Sequence, residues 1–262
     1  MISDPTSMFT VAGRSIVITG ASGSMGQAAA LGLGAAGANV TIAGSNEEAL
    51  RELADSPELV GHCSIAAIRP DSPEQADQII ATATDAFGRL DGLLVASGMN
   101  HVAPIVDMEM ADWERVMDAN VRGSWLMAQA AGKVLLKQGD GGSVVLVSST
   151  RGKLGHPAGY TAYCPSKAAV DLLGKTLATE WGPEQIRVNV IAPTVFRSEL
   201  TAWMYADDEK GKATREAMFA RIPLKRFAEP EDFVGALIYF FSNASTFVTG
   251  QVLYLDGGYT SC

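Results

Sequence analysis

Seven short apolar runs recur along the chain, and longer stretches of helical character separate them. The runs are Ser15–Thr19, Ala38–Ala43, Gly61–Ala67, Leu90–Ala96, Ser143–Ser148, Ile186–Ile191 and Gln251–Leu255. Helical patterning falls near 25–36, 46–54, 73–87, 109–138, 160–182 and 230–241. A strand that is apolar on consecutive residues, not on alternate ones, must be covered on both faces. Strands of this kind joined by helical crossovers make a parallel sheet between two helical layers. The pattern predicts an α/β fold: one doubly wound domain over residues 1–262 with a seven-stranded parallel sheet. One stretch breaks the rhythm. Residues 194–223 carry Trp203, Met204, Tyr205 and Phe219 around the charged run Asp207-Asp208-Glu209-Lys210. An insertion of that length after a strand end reads as a substrate lid. The alternative is an extra amphipathic helix pair packed on the surface.

Charge and cysteine usage narrow the function classes. The net charge is −9, opposite in sign to the basic surface that nucleic acid requires. Cys63, Cys164 and Cys262 are far apart and form no C-x-x-C pair, so neither a disulfide framework nor a metal site is expected. No apolar run reaches the roughly 18 residues of a membrane span. The first ten residues lack the apolar core of a secretory signal. The expectation is a cytoplasmic protein with no membrane and no nucleic-acid partner.

Two places carry chemistry. After the first apolar run comes Thr19-Gly20-Ala21-Ser22-Gly23-Ser24-Met25-Gly26, and then a helix. A glycine-rich strand-to-helix turn brings backbone N–H groups and the positive end of a helix dipole to a pyrophosphate. The second place is Tyr163-Cys164-Pro165-Ser166-Lys167. Residues four apart share a helix face. A cation beside a phenol favours the phenolate and would bring its pKa down from about 10, which makes an acid/base suited to a carbinol oxygen. Tyr160 is a second phenol, but Cys164 stands four residues on, so it has no lysine partner.

Taken in order, these residues resemble the short-chain dehydrogenase/reductase family over nearly the whole chain. Thr19, Gly20 and Gly26 match its T-G-x-x-x-G-x-G motif, with Ser24 in the place of the middle glycine and Gly23 just before it. Asn120-Val121-Arg122-Gly123 resembles N-V-x-G, and Ser148-Ser149 resembles the strand-end serine. Tyr163-x-x-x-Lys167 follows, Pro193-Thr194 stands where the family has Pro-Gly, and residues 249–258 are typical of its C-terminus. The resemblance implies a Rossmann-type fold and an NAD- or NADP-dependent oxidoreductase acting on CH–OH groups. It implies a tetrad. Tyr163 transfers the proton, and Lys167 lowers its pKa and bonds the nicotinamide ribose. Ser149 bonds the reacting oxygen, and Asn120 holds a relay water. Ser148 and Thr150 are rivals to Ser149, which is preferred because Gly152 completes S-x-x-G. Asn120 could instead cap or kink its long helix. Cofactor contacts are expected from Gly20, Ser22, Gly23, Ser24, Met25, Gly26, Ser45, Arg69, Gly98, Pro193, Tyr163 and Lys167.

The adenosine end departs from the family pattern. The second strand runs into Gly44-Ser45-Asn46, with no acid to bind a ribose 2′-hydroxyl and no base for a 2′-phosphate. Arg69 stands where many relatives have Asp, and Val95-Ala96-Ser97-Gly98 replaces N-N-A-G. The choice between NAD and NADP stays open. His101, Arg151, His156 and Arg197 lie in loops at the expected ligand edge. Such cations and donors suit a small polar or anionic substrate, such as a sugar acid or polyol. Trp203, Met204 and Tyr205 would instead suit a 3-oxoacyl thioester. A third reading, of another class, is a binding or regulatory protein on the same fold with weakened cofactor affinity. The helices at 109–138 and 160–182 resemble those that pair relatives into homo-oligomers, commonly tetramers.

Overall fold

The computed structural model describes residues 4–262, the side chains of residues 199 and 200 excepted. Seven strands form one all-parallel sheet in the order β3-β2-β1-β4-β5-β6-β7. They are β1 Ser15–Thr19, β2 Asn39–Ala43, β3 Cys63–Ala66, β4 Gly92–Val95, β5 Gly142–Val147, β6 Ile186–Pro193 and β7 Val252–Leu255. The helices are α1 Ser24–Ala35, α2 Glu47–Ala54, α3 Pro73–Phe87, α4 Met110–Met117, α5 Gly123–Gln138, α6 Tyr163–Trp181, α7 Glu209–Arg221 and α8 Glu231–Phe241. The strand order reverses between β1 and β4, so their carboxyl ends open a crevice, the usual ligand position in such sheets. All seven expected strands are present.

Strand pleating sends successive side chains to opposite layers. Val17, Leu93, Val144, Leu146, Val188 and Val190 face α3, α5 and α6, where Met127, Leu177 and Trp181 cover them. Ile16, Ile18, Val40, Ile42, Val145 and Ile191 face the other way, against Leu33 of α1, Leu50 of α2 and Phe233, Leu237 and Phe241 of α8. This division explains why the strands read as continuous apolar runs. Each neighbouring residue has a helix of its own to meet.

One expectation about helices needs correction. The stretch at 109–138 is not one helix. It breaks into α4 and α5 around a π-helical turn, Asp118–Arg122, which holds Asn120. The segment at 194–223 forms a short 3-10 stretch, Glu199–Tyr205, followed by α7. Met204, Tyr205, Met218 and Phe219 pack there on a small third core of Ile222, Phe227 and Tyr259.

The turn after β1 depends on two glycines. Gly20 has φ +69°, and a Cβ on it would lie 2.6 Å from the Ser97 nitrogen. A Cβ on Gly26 would lie 2.2 Å from the Gly20 oxygen, backbone against backbone. Gly235, exposed inside α8, has nothing within 4 Å of its Cβ position. In urea denaturation, Gly26→Ala is expected to lose about 1–3 kcal/mol. Gly235→Ala should be neutral or gain up to about 1 kcal/mol. Equal stability of the two variants would contradict the close approach at Gly26.

Candidate active site

Tyr163 opens α6, and Lys167 follows one turn later on the same face. Lys167 is 4% exposed, and its ammonium donates to the Val147 carbonyl at 2.9 Å, at the carboxyl end of β5. Its Nζ lies 5.7 Å from the centre of the Tyr163 ring. Burial lowers the lysine pKa from 10.5 to about 8, and Asp171, one turn further along α6, acts in the opposite sense. Burial raises the phenol above its ordinary value, and the Ser149 hydroxyl pulls it back. The cation that lowers it is not the expected one, Lys167. Arg151 does so, whereas the Lys167 ammonium is turned to Val147.

The two candidate serines are told apart by their contacts. Ser149 Oγ accepts from the Arg151 N–H at 3.1 Å and acts on Tyr163. The Ser148 hydroxyl donates instead to the Lys167 carbonyl at 3.0 Å, behind the site. Ser149 therefore shares the pocket with the phenol, while Ser148 ties β5 to α6.

Asn120 is fully buried in the π-helical turn. Its amide clamps the chain after β4: Oδ1 accepts from Met99 N–H at 2.8 Å, and Nδ2 donates to Met99 O and to Ser166 Oγ, both at 2.9 Å. Its backbone carbonyl accepts from Ser124 Oγ at 2.7 Å. Gly98 completes the clamp, because a Cβ there would lie 2.9 Å from Asn120 Oδ1 and 3.3 Å from Lys167 Nζ. The kink expected as an alternative is present, and the same residue holds the pocket wall.

The residues that would hold a dinucleotide fit one. Gly23 is the N-cap of α1, with no side-chain cap and no acid in the first turn. The N–H groups around Ser24, Met25 and Gly26 at the start of α1 thus remain for an anion. Gly23 has an ordinary φ of −84°, so Gly20 alone supplies the left-handed bend. Ser22 lies beside the end of β2, with its Oγ 3.6 Å from the Cβ position of Gly44. Ser45 is exposed, and Asn46 uses its side chain to cap α2. Arg69 pairs with Asp71 at 2.9 Å and lines a hollow with Ser97, Gly98, Met99 and Asp118. Pro193 is buried at the end of β6, and the Thr194 N–H donates to Leu255 O.

The four expected substrate residues divide. Arg151 acts on Tyr163, and the His156 ring lies 4.4 Å from that of Tyr160, which meets Tyr163 edge-on at 6.1 Å. His101 instead pairs with Asp112 of α4 at 3.3 Å. Arg197 pairs with Glu229 at 3.1 Å and stacks on Tyr205 at 4.0 Å. Sequence reasoning missed Asp171, which is 9% exposed and lacks a partner for Oδ1 among the described residues. Its i+4 spacing from Lys167 was the available signal. It also missed Arg221, at the end of α7, which no motif marks.

A parallel sheet with a glycine turn at its switch point and the Tyr163–Lys167 pair at the start of α6 marks an oxidoreductase. The family model described as enoyl-(acyl carrier protein) reductase matches residues 20–260. The chain belongs to the short-chain dehydrogenase/reductase family. It is 63% identical over 254 residues to an uncharacterized oxidoreductase of Mycobacterium tuberculosis, covering 97% of this chain and 94% of that protein. It is 36% identical to an L-rhamnose 1-dehydrogenase (NAD(P)(+)) of a Sphingomonas strain, covering 94% and 96%. A solved gluconate 5-dehydrogenase from Burkholderia cenocepacia, in complex with NADP and tartrate, superposes with a TM-score of 0.91 at 30% identity, covering 99% and 100%. No described helix is long and apolar enough to cross a membrane.

Replacing Asn120 with Ala removes three side-chain hydrogen bonds and strands buried partners. The expected loss is about 2–4 kcal/mol in denaturant unfolding. An unchanged midpoint would show that the clamp does not support the pocket.

Proposed function

We propose that this protein interconverts a secondary alcohol and a ketone on a small polar or anionic substrate such as a sugar acid or polyol, with NAD or NADP. One observation carries the reading: the Tyr163 phenol and the Ser149 hydroxyl meet past the carboxyl end of β5, with the Lys167 ammonium buried close by against the Val147 carbonyl. The glycine turn and the start of α1 would hold the cofactor's pyrophosphate. Gly44-Ser45-Asn46 brings no carboxylate to repel a 2′-phosphate, so NADP is admitted as well as NAD. The cofactor, when bound, supplies hydride exchange at the carbon.

The side chains manage the oxygen. Ser149 donates to it and fixes its position, a preorganised donor where charge develops. Tyr163 carries the proton. With its pKa raised by burial, the phenol is protonated at neutral pH and can donate to a ketone. In the reverse direction it must first lose that proton. Lys167, charged below about pH 8, favours the phenolate when it does so, and Asn120 holds the wall against which the substrate rests. Arg151 and His156 beside the phenol support an anionic substrate, as does the likeness to a gluconate 5-dehydrogenase.

A second reading, a reductase of acyl thioesters, is favoured by an apolar groove lined by Ile105, Met108, Met110, Trp113 and Thr161, two residues before Tyr163. The outward-facing Trp125 of α5 and Leu172 of α6 support a homo-oligomer, a tetramer on the family pattern. The intact oxygen-side cluster favours turnover over a binding or regulatory role.

A panel of sugar acids, polyols and 3-oxoacyl thioesters assayed with both cofactors tests the reading. With the best substrate, Tyr163→Phe should lower kcat by about 10²–10⁴-fold while cofactor affinity holds. Oxidation should quicken toward alkaline pH and reduction should slow, because a raised phenol pKa keeps the base form scarce at neutrality. A Tyr163→Phe enzyme with wild-type kcat would refute the assignment.

A further inference from the structure

Two arginines from distant parts of the chain meet at one buried ring. Arg151 follows Ser149 by two residues, in the short turn after β5. Arg221 is the last residue of α7. The guanidinium of Arg221 lies 4.3 Å from the centre of the Tyr259 ring, and that of Arg151 lies 5.7 Å from the same ring. Tyr259 is 1% exposed, so it fixes both. Arg151 donates to Tyr259 Oη at 3.3 Å and to Gly155 O at 3.2 Å. Among the described residues neither arginine has an ion-pair partner, although the chain is acidic overall. His156 lies within the field of both: burial and then each guanidinium hold its imidazole below its ordinary pKa. Arg151 also acts on Tyr163, so this cationic corner adjoins the reacting oxygen.

An arginine presents five N–H donors in a planar fork that matches a carboxylate. Two such forks without a local acid leave donors that only solvent or a ligand can use. We propose that Arg151 and Arg221 form a carboxylate subsite of the substrate pocket, the second arginine being delivered by α7. Arg197, which carries the same charge in the same insertion, is excluded by its pairing with Glu229. The inference rests on the dehydrogenase reading above and adds to it a substrate class and a residue that sets it. It also gives the 194–223 insertion a task. Its last helix contributes a ligand group, so binding an anion would tie α7 to the turn after β5.

The test is calorimetric binding of D-gluconate and of neutral D-glucitol to the full chain in the presence of NADP. Wild type should bind gluconate more tightly. Arg221→Gln and Arg151→Gln should each weaken gluconate by roughly tenfold or more, the effect of one charge-assisted hydrogen bond, and leave glucitol unchanged. Arg221→Lys should recover part of the loss. Lys212→Gln, the same charge change about 13 Å away along α7, should behave as wild type. Equal affinity for the two ligands, wild-type gluconate binding in both Gln variants, or a parallel loss of both ligands would overturn the subsite. In the last case the arginines merely pack Tyr259. Gluconate bound through the arginines, with no member of the substrate panel turned over with either cofactor, would sustain the subsite and remove the dehydrogenase reading. Turnover of neutral alcohols without anion binding would do the reverse.

Discussion

A single buried ammonium organises this site. Lys167 has one protein acceptor among the described residues, the carbonyl that ends β5. An unpaired charge in a protein interior is costly, so the groups around it are constrained. Gly98 cannot carry a side chain without meeting Nζ. Ser148 holds the lysine's own carbonyl and so fixes α6 against β5. Asp171 lies one turn below and offsets part of the desolvation. On the far side Asn120 ties Met99 to Ser166, which closes the wall between β4 and α6. The phenol of Tyr163 sits above this assembly, and its reactive oxygen is placed by elements that the lysine requires to be where they are.

The charge distribution follows the same division of labour. A chain of net charge −9 carries many exposed acids, and most of its described surface arginines are paired with one, as Arg69, Arg89, Arg197 and Arg226 are. Arg151 and Arg221 stand apart from that rule and meet at the Tyr259 ring, Arg151 also acting on the Tyr163 phenol.

Much of this was legible in the sequence, for physical reasons. Strands sandwiched between two helical layers must be apolar on both faces, so all seven stood out. The Tyr163 and Lys167 pairing followed from helical periodicity, and Gly20 from the need for a left-handed bend. Other features depend on contacts distant in sequence. The π-helical turn at Asn120 is invisible to a 3.6-residue pattern, because the residues on either side remain helical. His101 and Arg197 read as free donors only because Asp112 and Glu229, which engage them, could not be placed. Arg221 comes to Arg151 through Tyr259, a contact across 108 residues on one side. The helix α7 is polar, so the sequence leaves a lid and a surface helix pair both open, and its few apolar residues pack on a satellite core that only the fold assembles.

The account turns on Lys167 being a buried ammonium with a lowered pKa in the pocket floor and not an ordinary surface lysine. Its titration can be followed directly by NMR of isotope-labelled lysine, with Lys167→Arg to assign the signal. A midpoint near 8 is expected. A midpoint near the unperturbed 10.5 would mean that the ammonium is solvated, and the arrangement described around it would not hold.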